Sequence, residues 1–397
     1  MQTRGEFVIR LSYLGSKGTH LYSPLVPVNN PDPSEYEAIL NEGGDPNELV
    51  PDPFGRVDTA GNLLNIPRVN LLRPIPTIGD ISVAGLTNSN SIYHAGAVSL
   101  ERRFLRGLSF RTNYTWSKSI DTASDDNLSG ANLYAWGTTR LQDPQDLKAN
   151  RSVSSFDMRH RINFALVAEL PFGRRRRFLA ASSRWIDAVA SNWSVNVLGS
   201  IVSGFPFAPY LGDANGVPGG GNGAERIRPD MMPGVPLIDP RWSKNVANDV
   251  PYINPEAFGR PAFGHLGNAP RTLDYARIPG KQTCNASLFR EFYPFENRRR
   301  RVQFRGEFYN VLNHATFTTS GANNESPNLF SSTPPLSRTG LSLAGPMPYL
   351  VGLGGRDFPV GTRENLLAAS YNQNFGKLWR DRNGPGRVVQ LGLKIYF

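Results

Sequence analysis

The stretch RVVQLGLKIYF at residues 387–397 places Val389, Leu391, Leu393, Ile395 and Phe397 at every second position, with Gln390, Gly392, Lys394 and Tyr396 between them. A period of two belongs to an extended strand, whose successive side chains point to opposite sides of a sheet. One side of that strand must therefore meet an apolar medium. A soluble sandwich supplies a packed core for this purpose. A membrane supplies lipid, which a tilted strand of about 9–11 residues crosses, and the stretch has that length.

The pattern recurs along the chain. In GLSFRTNYTWSKS (107–119), Leu108, Phe110, Thr112, Tyr114 and Trp116 alternate with Ser109, Arg111, Asn113, Thr115 and Ser117. Its expected partner is SIYHAGAVSLERR (91–103), and Gly107 in the connecting FLRG marks a tight hairpin turn. Further strands are expected at 5–15, 157–173, 192–204, 284–293, 301–313 and 387–397, about eight in all, and the alternation of 284–293 breaks at Leu288–Phe289. The connections alternate strictly between short or moderate (103–107, 171–191, 294–300) and long (16–90, 119–156, 205–282, 314–386).

Long irregular connections are uncommon in compact soluble domains, whereas outer-membrane barrels combine short periplasmic turns with long outer loops. No run approaches the roughly 18 apolar residues of a transmembrane helix, and the 39 glycines and 32 prolines favour turns. Arg111, Arg159, Arg161, Arg305, Glu307 and Lys394 are expected mid-strand on the polar side. That is more charge than a soluble core accommodates, but a water-filled lumen holds it. Aromatic residues near strand ends, namely Tyr114, Trp116, Trp193, Tyr293 and Phe397, suit interfacial girdles. The fold expected is all-β: an antiparallel transmembrane β-barrel, partial, with long extracellular loops and with Phe397 at the periplasmic rim.

Five segments carry a resemblance. VSLERRFLRGLSFRTNYTWSKSID (98–121), DMRHRINFALVAELPFG (157–173), SIVSGFPFAPY (200–210), INPEAFGRPAFGHLGNAPR (253–271) and VQFRGEFYNVLNHATF (302–317) resemble, in this order, the C-terminal barrel of Oar-like TonB-dependent receptors. That resemblance implies an outer-membrane receptor with a regulatory N-terminal domain, a plug and a large barrel, taking up a substrate with energy from TonB. Nothing in the sequence resembles the signal peptide, regulatory domain, plug or TonB-contacting segment, and such transporters have about 22 strands. MQTRGEFVIRLSYLGSKG likewise lacks the features of a secretory signal. Residues 1–397 are thus expected to be the C-terminal portion of a longer barrel, contacting the TonB complex only through a plug outside this chain. Specificity for a substrate, whose identity the sequence does not give, would lie in the loops and the lumen.

The terminal GLKIYF also resembles the assembly signal of outer-membrane barrels, with Val389, Leu391, Leu393, Ile395 and Phe397 presented to the barrel-assembly machinery as an unpaired strand. The remaining partner expected is outer-membrane lipid. The formal charge of +10 raises nucleic acid as a partner, but RRRR at 174–177 and 298–301 follows strand-end PF turns without interleaved aromatics, so none is expected. DTASDD (121–126) lacks calcium-loop spacing, and His20, His94, His160, His265 and His314 form no compact ligand set. GVPGGGNG (216–223) precedes no helix and reads as flexible loop, and Cys284 has no cysteine partner. No catalytic motif is present, so neither enzyme activity nor a cofactor is expected. Two other architectures fit the pattern: a small self-closed outer-membrane barrel with a structural or porin-like role, and a soluble all-β binding module.

Overall fold

The computed structural model describes residues 7–22, 26–79, 81–83, 86–124, 142–143, 146–173, 176–181, 183–211, 227–245, 250–262, 265–293, 300–318, 345–346, 375–380 and 386–397. Its main sheet has eight long strands: β1 (Phe7–Leu21), β2 (Ser89–Leu105), β3 (Leu108–Asp121), β4 (His160–Glu169), β5 (Trp193–Val202), β6 (Lys281–Phe292), β7 (Arg301–Tyr309) and β8 (Val388–Tyr396). Each pairs antiparallel with its neighbour in the chain, an up-and-down meander from β1 to β8. Every expected strand occurs, with shifted ends. The first, expected at 5–15, runs on to Leu21, while those expected at 157–173 and 301–313 contract to ten and nine residues. The broken alternation in β6 has a local cause. Leu288 stays on the apolar face opposite Val195, whereas Phe289 lies on the polar face with the Arg305 guanidinium 4.9 Å above its ring.

The register makes the two faces continuous. One row joins Phe7, Arg102, Phe110, Leu166, Val197, Ala286, Phe308 and Val389 across all eight strands. The adjacent row on the same side joins Leu108, Ala168, Val195, Leu288, Gly306 and Leu391. Since directly opposed residues share a face and the side-chain period is two, this face is apolar almost throughout. Leu11, Leu391 and Leu393 are 76%, 67% and 67% exposed on it, with no layer of described residues covering them. The β2–β3 hairpin closes through Arg106 and Gly107, both at positive φ (52° and 77°). Two such residues form the turn whose twist matches that of paired strands, and glycine makes the second inexpensive.

The short connections (106–107, 170–192, 293–300) leave one end of the sheet, and the long ones (22–88, 122–159, 203–280, 310–387) leave the other. The buried hydrophobic cluster of the described residues lies in the long connections rather than in the sheet. Phe207, Leu211, Ile227, Ile253, Phe258 and Leu273 from 203–280 pack with Phe317, Phe375 and Leu378 from 310–387. Phe375 meets Phe207 and Phe258 edge-to-face at 5.9 and 5.5 Å. Short strand pairs satisfy the backbone there: Pro206–Phe207 with Leu273–Arg277, Asp230–Met231 with Phe258–Arg260, and Phe317–Thr318 with Trp379–Arg380. We refer to this unit as the cap. The glycine-rich 216–223 lies outside the described residues.

Helices are few. Helix α1 (Pro33–Asn41) is capped by Asp32, whose Oδ1 accepts from Ser34 N at 2.8 Å, and α2 (Arg184–Ala190) follows Ser183. Among the described residues no helix is long and apolar enough to cross a membrane. The outer edges of β1 and β8 have no strand partner among the described residues.

Candidate functional site

The polar face of the sheet opposes the apolar one residue for residue. A row of Arg10, Ser99, Asn113, Asn163, Ser200 and Thr283 crosses β1 to β6, and the next joins Glu101, Arg111, Ala165, Leu198 and Asn285. Arg10 pairs with Glu101 at 3.1 Å, and Ser200 Oγ donates to Asn163 Oδ1 at 2.9 Å. Two depressions lie on this face. One of about 680 Å³ is bounded by Arg10, Ser12, Ser99, Arg111, Asn113 and Thr115. The other, about 370 Å³, spans β3 to β6 between Arg111, Asn113, Asn163, Ser200, Thr283 and Asn285. Arg111 and Asn113 border both, so the two form one trough of mixed character, in which Ala165 and Leu198 lie among the guanidinium, amide and hydroxyl groups.

Of the six charges expected mid-strand on the polar side, five occupy it. Arg111 lies opposite Glu101, Arg161 opposite Thr115, Arg305 opposite Phe289, Glu307 opposite Ser287 and Lys394 opposite Gln303. Arg305 and Glu307 also pair with each other at 3.5 Å. Arg159 is the exception. It precedes the first residue of β4, and its Nη2 donates to Asp274 at 2.5 Å, within the cap. The turn before it, closed by Asp157 N donating to Ser154 O at 2.9 Å, ends short of Arg159, whose carbonyl accepts from Ser117 N at 3.0 Å and keeps it in register beside the loop-side end of β3. Val389, Leu391, Leu393 and Ile395 lie on the apolar face opposite Phe308, Gly306, Phe304 and Val302, and Phe397 is 96% exposed beyond the end of β8.

The joint between cap and sheet was not foreseen from the sequence, and it holds deeply buried charges. Arg271 and Asp121 form an ion pair with side chains only 2% and 3% exposed. Arg271 also donates to Asn150 O at 3.1 Å and to Ser124 Oγ at 2.7 Å. Asp157 accepts from Ser119 N at 2.6 Å and from Arg277 Nη2 at 2.7 Å. Asp274 gathers Lys118 (2.9 Å), Arg277 (3.0 Å) and Arg159 (2.5 Å). The cap segment Arg271–Arg277 thus rivets the loop-side ends of β3 and β4. Arg271, Asp274 and Arg277 recur every three residues in GNAPRTLDYAR, but their partners on the sheet lie more than a hundred positions away, so spacing alone does not expose the joint. Asp121, from the DTASDD stretch, is committed to this pair; Asp125 and Asp126 lie outside the described residues.

Burial pushes the Asp274 carboxyl up, yet hydrogen bonds from Lys118, Arg277 and Arg159 outweigh it and bring its pKa to about 2. A carboxylate depressed below its unfolded value near 3.9 stabilises the fold fully above that value, and the contribution is lost as pH falls through the folded value. Acidification from about pH 5 to about pH 2 is therefore expected to loosen the cap by about 1–2 kcal/mol, with partial exposure of the site limiting the effect. Hydrogen exchange of 271–277 across that range checks it, and Asp274→Asn should flatten the dependence.

At the loop-side end of the apolar face, Tyr114 OH and His160 Nδ1 share a hydrogen bond of 2.9 Å with their rings stacked, and Tyr13 and His94 repeat the arrangement at 2.6 Å. Trp116 lies opposite His160. At the other end stand Trp193 and Phe304, edge-to-face at 6.2 Å. Polar-tipped rings thus bracket the apolar band at both ends, where such rings are favourable in a bilayer.

The chain was compared with known proteins by sequence and by structure. The model of the outer membrane beta barrel domain family matches residues 1–339. Among solved structures, the outer membrane transporter YddB from Escherichia coli is similar at 9% identity with a TM-score of 0.31, over 78% of this chain and 27% of that one. No curated protein matches.

Proposed function

Because this chain belongs to the outer membrane beta barrel domain family and so resides in the outer membrane, we propose that it forms the C-terminal strands of a TonB-dependent receptor barrel of the Oar-like kind. The trough belongs to the lumen in this reading, the apolar face meets lipid, and the cap is the extracellular, substrate-facing side. The observation that carries it is the eight-stranded sheet itself, one face charged, the other apolar and exposed, with both edges unpaired among the described residues. An unpaired edge exposes a row of backbone donors and acceptors, which hydrocarbon does not tolerate. Further strands at those edges satisfy them, and a larger barrel gives the charged lumen its water. Substrate uptake belongs to that whole assembly, with energy reaching it through a plug.

A self-closed barrel of eight strands instead requires β1 to pair with β8. The two readings separate on the native polypeptide, isolated from outer membranes and recognised by a peptide from 98–121. The receptor reading expects a band well above 43.8 kDa that crosslinks to TonB; a TonB-independent band near that mass would reject it and favour self-closure. The strand β8 is assigned the further role of assembly signal. Phe397→Asp should lower outer-membrane levels of the full-length receptor severalfold by spoiling recognition of the terminal aromatic. Unchanged levels on quantitative immunoblots would remove that role.

A further inference from the structure

The connection between β4 and β5, which the sequence presents as a basic turn, contains a surface helix whose large apolar side chains stand exposed among the described residues. Helix α2 begins at Ser183, whose Oγ accepts from Ile186 N at 3.3 Å, and ends at Ser191, whose N donates to Asp187 O at 3.1 Å. Trp185, Ile186 and Val189, at spacings that share one helical side, are 85%, 49% and 68% exposed. Phe172 and Phe178, ring centroids 5.7 Å apart, add 39% and 48% exposed rings just before it. These large apolar side chains lie within eighteen residues, an accumulation that water does not favour.

The helix is fixed to the apolar face of the sheet. Trp193 Nε1 donates to Val189 O at 2.9 Å, and the Arg290 guanidinium donates to Ala188 O. Both donors stand on that face, Trp193 opposite Arg290 and Arg290 opposite Phe304. Arg290 is itself held against the rings of Phe292 and Trp193, at 4.3 and 5.5 Å. Gly173 permits the close approach of the preceding turn: at φ 118° it has no Cβ, and one would lie 2.7 Å from Ser191 Cβ. The connection is also strongly cationic, with five arginines against one aspartate in 170–192. Arg176 reaches Glu169 at 3.3 Å, and Arg177 lies 5.5 Å over the Phe178 ring, both exposed.

We propose that α2 and the 172–178 turn form an interfacial anchor that binds anionic phospholipid at the short-connection rim of the barrel. Trp185, Ile186 and Val189 enter the acyl boundary while Arg176 and Arg177 meet headgroup phosphates. Three observations favour lipid over a protein partner. The exposed residues continue the apolar face that already meets lipid, the charge is opposite to that of the headgroups, and seven residues are too few to span a bilayer but suffice to lie in its plane. The anchor rests on the membrane placement of the sheet and adds to it a lipid-class preference.

The test uses the full-length receptor purified from outer membranes, in a cysteine-free background that includes Cys284→Ser, reconstituted into phosphatidylethanolamine vesicles with and without phosphatidylglycerol. An environment-sensitive dye is attached at Trp185→Cys, Val189→Cys, Leu391→Cys or, as an aqueous control in a long connection, Thr59→Cys. The expected result is quenching by shallow-brominated lipid at 185 and 189 comparable to that at 391, stronger with phosphatidylglycerol, and none at 59. Arg176→Gln with Arg177→Gln should abolish the dependence on phosphatidylglycerol. Iodide quenching at 185 and 189 alongside lipid quenching at 391 would overturn the anchor alone, as would protection from both quenchers, which marks a protein partner. Loss of lipid quenching at 391 as well would overturn the anchor together with the membrane placement on which it rests.

Discussion

Arg271→Met is expected to destabilise the cap by about 3–5 kcal/mol, the cost of leaving a buried carboxylate without its countercharge. Asp121 and Arg271 are almost completely enclosed, and besides the Asp121 carboxylate the guanidinium holds Asp121 O, Asn150 O and Ser124 Oγ. Removing it strands four acceptors at once, at the place where 203–280 is fastened to β3. The loss should show as faster hydrogen exchange and earlier proteolysis in 203–280, while the resistance of the sheet to detergent unfolding stays unchanged, since its ladders do not pass through Arg271. Replacing both partners, Asp121→Asn with Arg271→Met, should recover part of the loss because no lone charge remains. If exchange at Leu273–Arg277 is the same in wild type and Arg271→Met, the joint does not hold the cap.

A second large effect is expected at Leu391→Arg, which places a guanidinium in the middle of the apolar band, in the row shared with Leu288, Val195 and Ala168. The cost near the bilayer midplane is about 2–4 kcal/mol. Lys394→Leu, three residues on and facing the other way, should cost less than about 1 kcal/mol because its lumen position tolerates either character. Equilibrium folding into lipid vesicles measures both. A larger penalty at Lys394 would invert the assignment of the faces.

Much of the sheet is legible in the linear order of residues because strand alternation is a local property. Leu108 to Trp116 or Val389 to Ile395 declare their face without reference to any distant residue. Hairpin turns are local too, and Arg106–Gly107 is an example. Where one side chain broke the alternation, as at Phe289, the cause was a cross-strand partner, Arg305, that the sequence does not place beside it. The site is legible by halves. The side taken by Arg111, Arg161, Arg305, Glu307 and Lys394 follows from parity alone, whereas the commitment of Arg159 to Asp274, a cap residue more than a hundred positions on, does not.

By itself the sequence determined the period-two pattern, hence the antiparallel strands, their two faces, and the ordering of short and long connections, because each follows from the geometry of a few consecutive residues. The tertiary structure alone decided that the long connections carry the buried core, that Arg271, Asp274 and Arg277 rivet it to Asp121, Asp157, Lys118 and Arg159, and that α2 lies against the apolar face. Those depend on contacts between residues often more than a hundred positions apart, brought together only when the sheet sets the spacing of its loops.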